Sequence, residues 1–291
     1  MFRYRYLAVL ALVLPLSAGS IFVTEGSTLY TVDSSTLAVL NTVTLLSPFT
    51  PLSMAQDPLN GLLYANDGSG SLYTIDSSSG NVNSIGTLAA GAGSTQPSAT
   101  SGQLAFNSAG GLYLMSSALT GDGGNAIYGI DPSTGYFTST STGEANLSGF
   151  AFNPVTGTFE GIGSATGSAQ EGVLAALFSV DPSSGTSTYL MDANGPAFLQ
   201  LPSLLTVDAS GILYAECNTA GSGSGSAIEC PAGASLASID GLGLISQLGD
   251  LPGTQADVIA ADLSNFAPEP SAVILMLSGM AGLFVLRKKI F

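Results

Sequence analysis

The feature that most constrains this chain is a short stretch that recurs along it. Its clearest copy is LYTID at residues 72–76, followed by the turn SSSG. Each copy alternates large apolar residues with smaller ones and ends in an aspartate that opens a turn rich in Pro, Ser, Thr and Gly, which is typical of a β-strand entering a hairpin. The other copies lie at residues 29–36, 127–135, 177–185 and, in degraded form, 236–241.

The spacing of these copies predicts the fold. The aspartates that end them lie 43, 55, 50 and 59 residues apart, at Asp33, Asp76, Asp131, Asp181 and Asp240. A unit of about 40 to 50 residues with several short strands is the size of one blade of a β-propeller. We therefore predict an all-β chain that folds as a β-propeller.

Four strand-like segments, which we name a to d, recur in each unit. In the second unit they are residues 52–57, 62–66, 72–76 and 82–88. Later a segments are 103–107, 147–153 and 204–208, and later b segments are 111–115, 158–162 and 212–217. The links from a to b begin with Asp or Asn and contain Gly, as tight hairpins require.

The two ends of the repeat region complete each other. Residues 21–25 align with a b segment, so the first unit lacks its a strand, and a spare strand at 257–263 follows the last unit. If these strands pair, the ring closes and no long sheet edge is left exposed. This predicts five blades; a ring of six or seven, with a further blade within 186–204, is the alternative.

The distribution of charge excludes some classes of partner. Between residues 21 and 266 there are nineteen Asp and Glu but no Lys, Arg or His. All five basic residues are near the ends: Arg3, Arg5, Arg287, Lys288 and Lys289. Such a body repels nucleic acid and anionic membrane surfaces, whereas it can attract cations, including Ca²⁺.

The same composition limits catalysis. Without His, Lys or Arg, the body cannot build a Ser-His-Asp, Cys-His or Lys-based site, so only carboxylates remain. A carboxylate pair could hydrolyse glycosides, but the repeated aspartates are better explained as acceptors for backbone N–H groups in their own turns. Residues 122–125 lack the spacing of a calcium loop, and the glycines at 161–163 are a weak phosphate motif. No catalytic residue or cofactor is therefore assigned.

Two cysteines, Cys217 and Cys230, flank the flexible run GSGSGS. A disulfide between them would stabilise the fold by about 3 kcal/mol and would suit an oxidising compartment. Two unpaired thiols are the alternative. A metal site is disfavoured with two thiols and no His.

Residues 1–20 have the three parts of a secretory signal peptide. Arg3 and Arg5 precede an apolar run over residues 6–16, and small residues follow at 17–20. Cleavage after Gly19 or Ser20 would leave a body that begins with a strand. A retained anchor is disfavoured because the run is too short to span a bilayer. The predicted organisation is a signal peptide at 1–20, a propeller at 21–264 and a tail at 265–291.

The tail combines three elements in order. Pro268, Glu269 and Pro270 precede an apolar segment at 271–286, and a basic cluster of Arg287, Lys288 and Lys289 follows. Sixteen residues of helix cover about 24 Å, so the segment is a short membrane helix whose basic end stays inside. Over residues 267–291 the chain resembles the PEP-CTERM sorting class of bacterial proteins, although Ile290 and Phe291 after the basic cluster depart from its pattern.

This resemblance implies where the protein is sent after export. It implies recognition of Pro268, Glu269 and Pro270 by a membrane sorting protease of the exosortase type, followed by release to the cell surface or exopolysaccharide matrix. An uncleaved single-pass anchor is the alternative.

The body resembles bacterial secreted propellers with Leu-Tyr-x-Ile-Asp-x-x-Thr-Gly repeats, which implies a fold and not an activity. The b–c links lengthen from the second unit to the fifth, which predicts a binding surface on one face. Tyrosines recur at positions that we expect to pack between blades, and not to form a sugar-stacking platform: Tyr30, Tyr64, Tyr73, Tyr113, Tyr128 and Tyr214. We expect a noncatalytic module that binds polysaccharide, protein or divalent cations, with a secreted carboxylate-dependent hydrolase as the alternative.

Overall fold

The computed structural model of the chain describes residues 19–47, 49–89, 102–119, 125–143, 146–163, 175–193, 204–217, 235–252 and 258–263. These residues form twenty β-strands in five four-stranded antiparallel sheets. The predicted five-bladed β-propeller is confirmed. The alternative of six or seven blades is wrong for the described residues, because residues 186–204 contribute only the last strand of blade 4 and the start of blade 5.

Blades 2 to 5 each use four consecutive strands. Blade 2 consists of β4 (Pro51–Gln56), β5 (Leu63–Asp67), β6 (Ser71–Ile75) and β7 (Val82–Thr87). Blade 3 consists of β8 (Gly102–Phe106), β9 (Leu112–Leu119), β10 (Asn125–Ile130) and β11 (Phe137–Thr142). Blade 4 consists of β12 (Leu147–Asn153), β13 (Thr158–Gly163), β14 (Ala175–Val180) and β15 (Ser187–Ala193). Blade 5 consists of β16 (Leu204–Val207), β17 (Leu213–Cys217), β18 (Ser235–Ile239) and β19 (Ile245–Asp250).

Blade 1 is built from both ends of the repeat region. It contains β1 (Ser20–Glu25), β2 (Thr28–Asp33) and β3 (Val39–Thr44), and its innermost strand is β20 (Val258–Ala261). β20 pairs antiparallel with β1, with Ile21 opposite Ala261 and Val23 opposite Ile259. The innermost strands β20, β4, β8, β12 and β16 contact one another in a closed cycle. The predicted closure is therefore confirmed, and it leaves no missing strand at the seam.

The hydrophobic core is divided among the boundaries between blades. Each of five clusters of buried side chains joins two neighbouring blades. At the boundary of blades 1 and 2, for example, Phe22 and Leu29 belong to one cluster with Met54 and Leu63. A fully buried Leu, Ile or Phe contributes about 1.5–3 kcal/mol, so this packing holds neighbouring blades together although their backbones are not paired into one sheet.

The turns between the third and fourth strands of each blade dock on the preceding blade. Gly80 and Gly185 have φ of +74° and +81°, and a Cβ there would lie 2.2 Å from the Thr44 carbonyl oxygen and 2.0 Å from that of Thr142. Blade 1 has Leu37 at this position, with φ of 57°, where its side chain lies against Gly249 of blade 5. Close backbone contact thus excludes a side chain at Gly80 and Gly185.

Substitution of Gly80 tests this docking against a matched control. We expect Gly80→Ala to lower the free energy of unfolding by about 3 kcal/mol or more, because the left-handed backbone is strained and the methyl group meets blade 1. Gly61 has a similar φ of +76° with no atom within 4 Å of a Cβ, so Gly61→Ala should cost only about 1 kcal/mol. Urea unfolding measures both, and equal losses would contradict the docking.

Removal of β20 tests the closure. A chain that ends at residue 257 loses the buried side chains of Ile259, Ala260, Ala261 and Leu263 and exposes the inner edge of β1. We expect a loss of about 5 kcal/mol or more and association of the opened rings, measured by thermal unfolding and light scattering. A chain that ends at Leu263 is the control and should retain its stability. A monomer of unchanged stability without β20 would contradict the closure.

Candidate functional site

The five innermost strands surround a narrow central channel. Its described lining is apolar except for Gln56 and Thr206: Met54, Ala55, Leu104, Ala105, Phe106, Ala151, Phe152, Leu205, Val207, Ala261 and Leu263. The space measures about 30 Å³, room for only a few water molecules and far below the roughly 300 Å³ of small-molecule sites. The hydrolase hypothesis requires converging acids here, and the described lining contains no carboxylate.

Polar side chains bridge the innermost strands across blade boundaries. Ser53 of blade 2 accepts a hydrogen bond from the Leu104 N–H of blade 3 at 2.6 Å. Gln103, at the equivalent position of blade 3, accepts one from the Phe150 N–H of blade 4 at 2.7 Å and also donates to the Leu205 carbonyl of blade 5. These side chains satisfy backbone groups that have no strand partner on the channel side.

Two further bridges close the cycle through blade 1. Thr206 of blade 5 accepts a hydrogen bond from the Ala261 N–H at 2.8 Å. Gln56 of blade 2 accepts one from the Leu263 N–H and donates to the Gly61 carbonyl at 3.2 Å. We call Ser53, Gln56, Gln103 and Thr206 the channel clasp. Sequence analysis missed it, although polar residues inside otherwise apolar strands were a usable signal.

An Asp or Asn follows each innermost strand and caps the link to the second strand of its blade. The five residues are Asp57, Asn107, Asn153, Asp208 and Asp262. In four blades the side chain accepts the N–H two residues on, as with Leu59 on Asp57 at 2.8 Å and Ser210 on Asp208 at 2.9 Å. In blade 1 no such link exists, because β20 and β1 come from opposite ends of the repeat region. Asp262 instead accepts a hydrogen bond from the Ser20 hydroxyl at 2.7 Å.

The repeated aspartates of the outer turns also act on their own turns, as predicted. Asp76 accepts the Ser78 N–H at 2.9 Å and the Ser78 hydroxyl at 2.7 Å. These hydrogen bonds lower the pKa of Asp76 to about 2. Hydrogen bonds from the equivalent serine also lower the pKa of Asp33, Asp131 and Asp181. These carboxylates are therefore turn caps that remain ionised well into acid.

One buried carboxylate departs from the pattern. Glu160 occupies the position on β13 where β5, β9 and β17 carry Tyr64, Tyr113 and Tyr214, and it is 5% exposed. Burial raises the pKa of Glu160, although Asn153 donates a hydrogen bond to its Oε1 at 2.9 Å and Thr156 donates at 3.3 Å. Glu160 is fixed by the cap residue of its own blade, and sequence analysis did not single it out.

The repeated tyrosines lie on the second and third strands of the blades. Tyr64 and Tyr113, on second strands, pack edge-on against Phe106 and Phe159 of the next blade, with ring centroids 5.0 and 4.9 Å apart. This part of the prediction of inter-blade packing is confirmed.

The tyrosines on third strands behave differently. Tyr128 stacks on Phe137 of its own blade at 4.3 Å, and the Tyr73 hydroxyl donates to Asp67 of its own blade at 3.0 Å. Both side chains are half-buried. Tyr128 also packs against the apolar cluster that joins blades 2 and 3. The Tyr73 ring lies 4.7 Å from that of Phe49, in the link from blade 1, measured between centroids. These tyrosines therefore combine contacts within their own blade with packing at a blade boundary.

The two ends of the described chain meet at the boundary of blades 5 and 1. The Asp262 N–H donates to the Ser20 carbonyl at 2.8 Å, and the Ser34 N–H donates to the Gly19 carbonyl at 2.9 Å. Nearby, the buried Tyr214 hydroxyl donates to Asp208 at 3.1 Å, and burial is the main cause that raises the pKa of Tyr214 to about 12. Ser20 and Asp262 thus lie side by side on the ring.

The described residues include no group of three or more His, Cys, Asp and Glu that could hold a metal ion. Asp33, Asp76, Asp131 and Asp181 each accept hydrogen bonds from a serine of their own turn. Calcium usually takes six to eight oxygen ligands, so the described turns do not form a calcium site.

Several predicted features lie outside the described residues. These are residues 1–18 of the predicted signal peptide, Pro268, Glu269 and Pro270, the apolar segment at 271–286, the basic cluster of Arg287, Lys288 and Lys289, Cys230 and residues 122–124 of the loop at 122–125. Cys217 ends β17, and the predicted disulfide with Cys230 stays a prediction. In the described part of the chain, no helix has the length and apolar character needed to cross a membrane.

Comparisons with known proteins place this chain in no family. No family model matches it, and no curated protein sequence matches it. Among solved structures, TolB from Acinetobacter baumannii aligns with 82% of this chain at 18% identity and a TM-score of 0.45, and this chain spans 54% of that one.

Two other solved structures give comparable values. Kuenenia stuttgartiensis hydrazine synthase aligns over 86% of this chain and 72% of its own, at 15% identity and a TM-score of 0.39. A catalytically inactive variant of virginiamycin B lyase from Staphylococcus aureus, solved with quinupristin, aligns over 81% and 68%, at 14% identity and a TM-score of 0.40. These values are too low to transfer an activity, so the fold assignment stands on the strand topology.

The lowered pKa values of the turn aspartates predict how stability depends on pH. A carboxylate whose pKa is lower in the folded than in the unfolded chain stabilises the fold above about pH 4, and that contribution is lost as the pH falls toward 2. We expect the free energy of unfolding to fall steadily over this window, and Asp76→Asn to make the fall shallower. Ser78→Ala should raise the pKa of Asp76, followed by NMR titration. A stability maximum below pH 3 would contradict this.

Proposed function

We propose that this protein is an exported, noncatalytic β-propeller that is sorted through its tail to the cell surface or extracellular matrix. The observation that carries the proposal is the meeting of Ser20 and Asp262 at one point of the ring. A leader attached before Ser20 and a tail attached after Leu263 would both leave from that point. Removal of either one would leave all twenty strands in place.

The tail carries the proposed sorting signal. In this proposal the segment at 271–286 holds the chain in the membrane, with Arg287, Lys288 and Lys289 on the inner side. A membrane protease of the exosortase type then cuts near Pro268, Glu269 and Pro270 and releases the ring. The absence of Lys, Arg and His between residues 21 and 266 suits a module that does not bind nucleic acid or anionic lipid.

The positions and hydrogen bonds of the described carboxylates support a noncatalytic role. The described channel lining has none, and the turn aspartates are engaged in hydrogen bonds within their own turns. Glu160 is buried and is held by Asn153 and Thr156, with no second carboxylate among its recorded hydrogen-bond partners. Carboxylate-dependent hydrolysis needs two acids facing one bond, and the described channel lining supplies neither.

The topology also suggests which surface binds. Strands alternate in direction within each blade, so the links from second to third strands lie at the opposite end from Ser20 and Asp262. A ring tethered by its tail would direct these links away from the membrane. We propose that they bind exopolysaccharide or a surface protein, since they lengthen along the sequence while the turns at the opposite end of the blades stay short.

Replacement of Pro268, Glu269 and Pro270 by Ala tests the sorting. We expect nearly all of the triple variant to stay in the membrane fraction with its C-terminus intact, because the protease loses its recognition sequence. The wild-type chain should appear outside the cell and end near residue 270. Mass spectrometry of the C-terminus and fractionation measure both.

The control is the neighbouring pair of substitutions Ser264→Ala and Asn265→Ala, which should leave processing unchanged. Identical processing of the triple variant and the wild type would contradict sorting through Pro268, Glu269 and Pro270. A full-length wild-type chain in the cytosol would contradict export itself.

A further inference from the structure

One segment of the chain combines a modification signal with an exposed position. Asn146, Leu147 and Ser148 form the pattern Asn-x-Ser, in which the middle residue is not proline. This pattern is the acceptor sequence for N-linked glycans in exported proteins. The chain contains twelve asparagines, and only Asn146 has Ser or Thr two residues later. The sequence therefore offers a single acceptor position.

The structure places Asn146 at the surface of the ring. It lies in the link between β11 and β12 and is exposed. β12 starts at Leu147 and ends at the cap residue Asn153, so Asn146 lies at the end of the blade opposite to that cap. This is the face of the ring opposite Ser20 and Asp262. A glycan attached to an exposed side chain at this face does not need to displace the core.

Asn146 lies between two of the links from second to third strands. On one side, Leu147 is paired with Gly163, the last residue of β13, from which the link of blade 4 starts. On the other side is Asn125, the first residue of β10, at which the link of blade 3 ends. The Asn125 side chain accepts the Leu147 N–H at 2.7 Å and donates to the Leu147 carbonyl at 3.1 Å. Asn146 therefore belongs to the face for which we proposed binding.

We propose that Asn146 carries an N-linked glycan that is attached during export. A membrane-bound oligosaccharyltransferase would take the glycan from an oligosaccharide linked to a lipid pyrophosphate. The Asn146 Nδ2 forms a bond to the anomeric carbon of the first sugar, and the bond from that carbon to the phosphate oxygen breaks. The lipid pyrophosphate leaves with the electron pair, and Nδ2 loses one proton to the solvent. This inference rests on the proposed export, since the transfer takes place on the outer side of the membrane.

The hydrogen bonds of the folded ring determine the order of events. Ser148 lies at a β-bulge of β12, is half-buried, and donates its hydroxyl to the Ile162 carbonyl at 3.2 Å. The Asn125 side chain holds both backbone groups of Leu147. The transferase recognises the Ser148 hydroxyl together with Asn146, so the segment has to be free of these contacts. Transfer therefore precedes the closure of blade 4, and Asn146 stays at the surface afterwards.

Mass spectrometry of the exported protein from the cells that produce it tests the site. The chain has no Lys or Arg between residues 21 and 266, so a protease that cuts after Glu is used; cuts after Glu144 and Glu160 release the peptide 145–160. We expect this peptide to carry the added mass of an oligosaccharide, which electron-transfer fragmentation locates on Asn146. Asn83 is the internal control, because it is exposed but has Ile two residues later, and it should stay unmodified.

Three substitutions test recognition of the pattern. Asn146→Gln removes the acceptor and should abolish the added mass. Ser148→Ala keeps Asn146 but should lower the glycosylated fraction by about tenfold or more, whereas Ser148→Thr keeps the hydroxyl and should retain the glycan. All three variants should still be exported, since the leader and the tail are unchanged. A glycosylated fraction in Ser148→Ala equal to that of the wild type would overturn recognition of this segment.

Delayed expression of the transferase tests the order of events. In a host without its own transferase, chains that are exported and folded before the enzyme is induced should remain without glycan. Chains synthesised after induction should carry it. Equal modification of the two pools would overturn transfer before closure of blade 4.

Failure of this inference and failure of export give different results. An exported chain whose peptide 145–160 has no added mass overturns the glycan and leaves export in place. A native protein that begins at Met1 and stays in the cytosol overturns export, and with it the transfer to Asn146.

Discussion

The fold depends on how the inner edge of each blade is satisfied. An innermost strand has a sheet partner on one side only, and on the other side its backbone groups face a channel of about 30 Å³, too small for more than a few water molecules. The channel clasp supplies the missing partners, since Ser53, Gln103, Thr206 and Gln56 each accept a backbone N–H from another blade. The apolar clusters at the blade boundaries can then close while these four inner backbone N–H groups stay paired.

The same logic explains how an acidic body without basic side chains stays folded. Its turn carboxylates receive N–H and O–H donors in place of cations, as at Asp76 and Asp181, and these donors lower their pKa values. Such turns are local, so they add little repulsion to the core.

The sequence predicted the fold well because the determining signals repeat. The spacing of the repeated aspartates predicted the number of blades. The alignment of residues 21–25 with second strands predicted that β20 completes blade 1. The channel clasp was not predictable in this way: Gln103 and Ser53 share one strand position, whereas Thr206 and Gln56 occupy two others. Sequence analysis did not identify Glu160, because it replaces the repeated tyrosine in one blade only. The tail and Cys230 lie outside the described residues, so the predictions of sorting and of a disulfide still rest on sequence.

Hydrogen exchange at the inner strands tests the account most directly. The N–H groups of Leu104, Phe150 and Ala261 donate to side chains of other blades, so we predict that they exchange as slowly as amides in the middle strands, through global unfolding only. In Gln103→Leu the Phe150 amide should exchange at least tenfold faster than that of Leu104. Rapid exchange of all three amides in the wild-type protein would show that the inner edges open to water and would contradict the account.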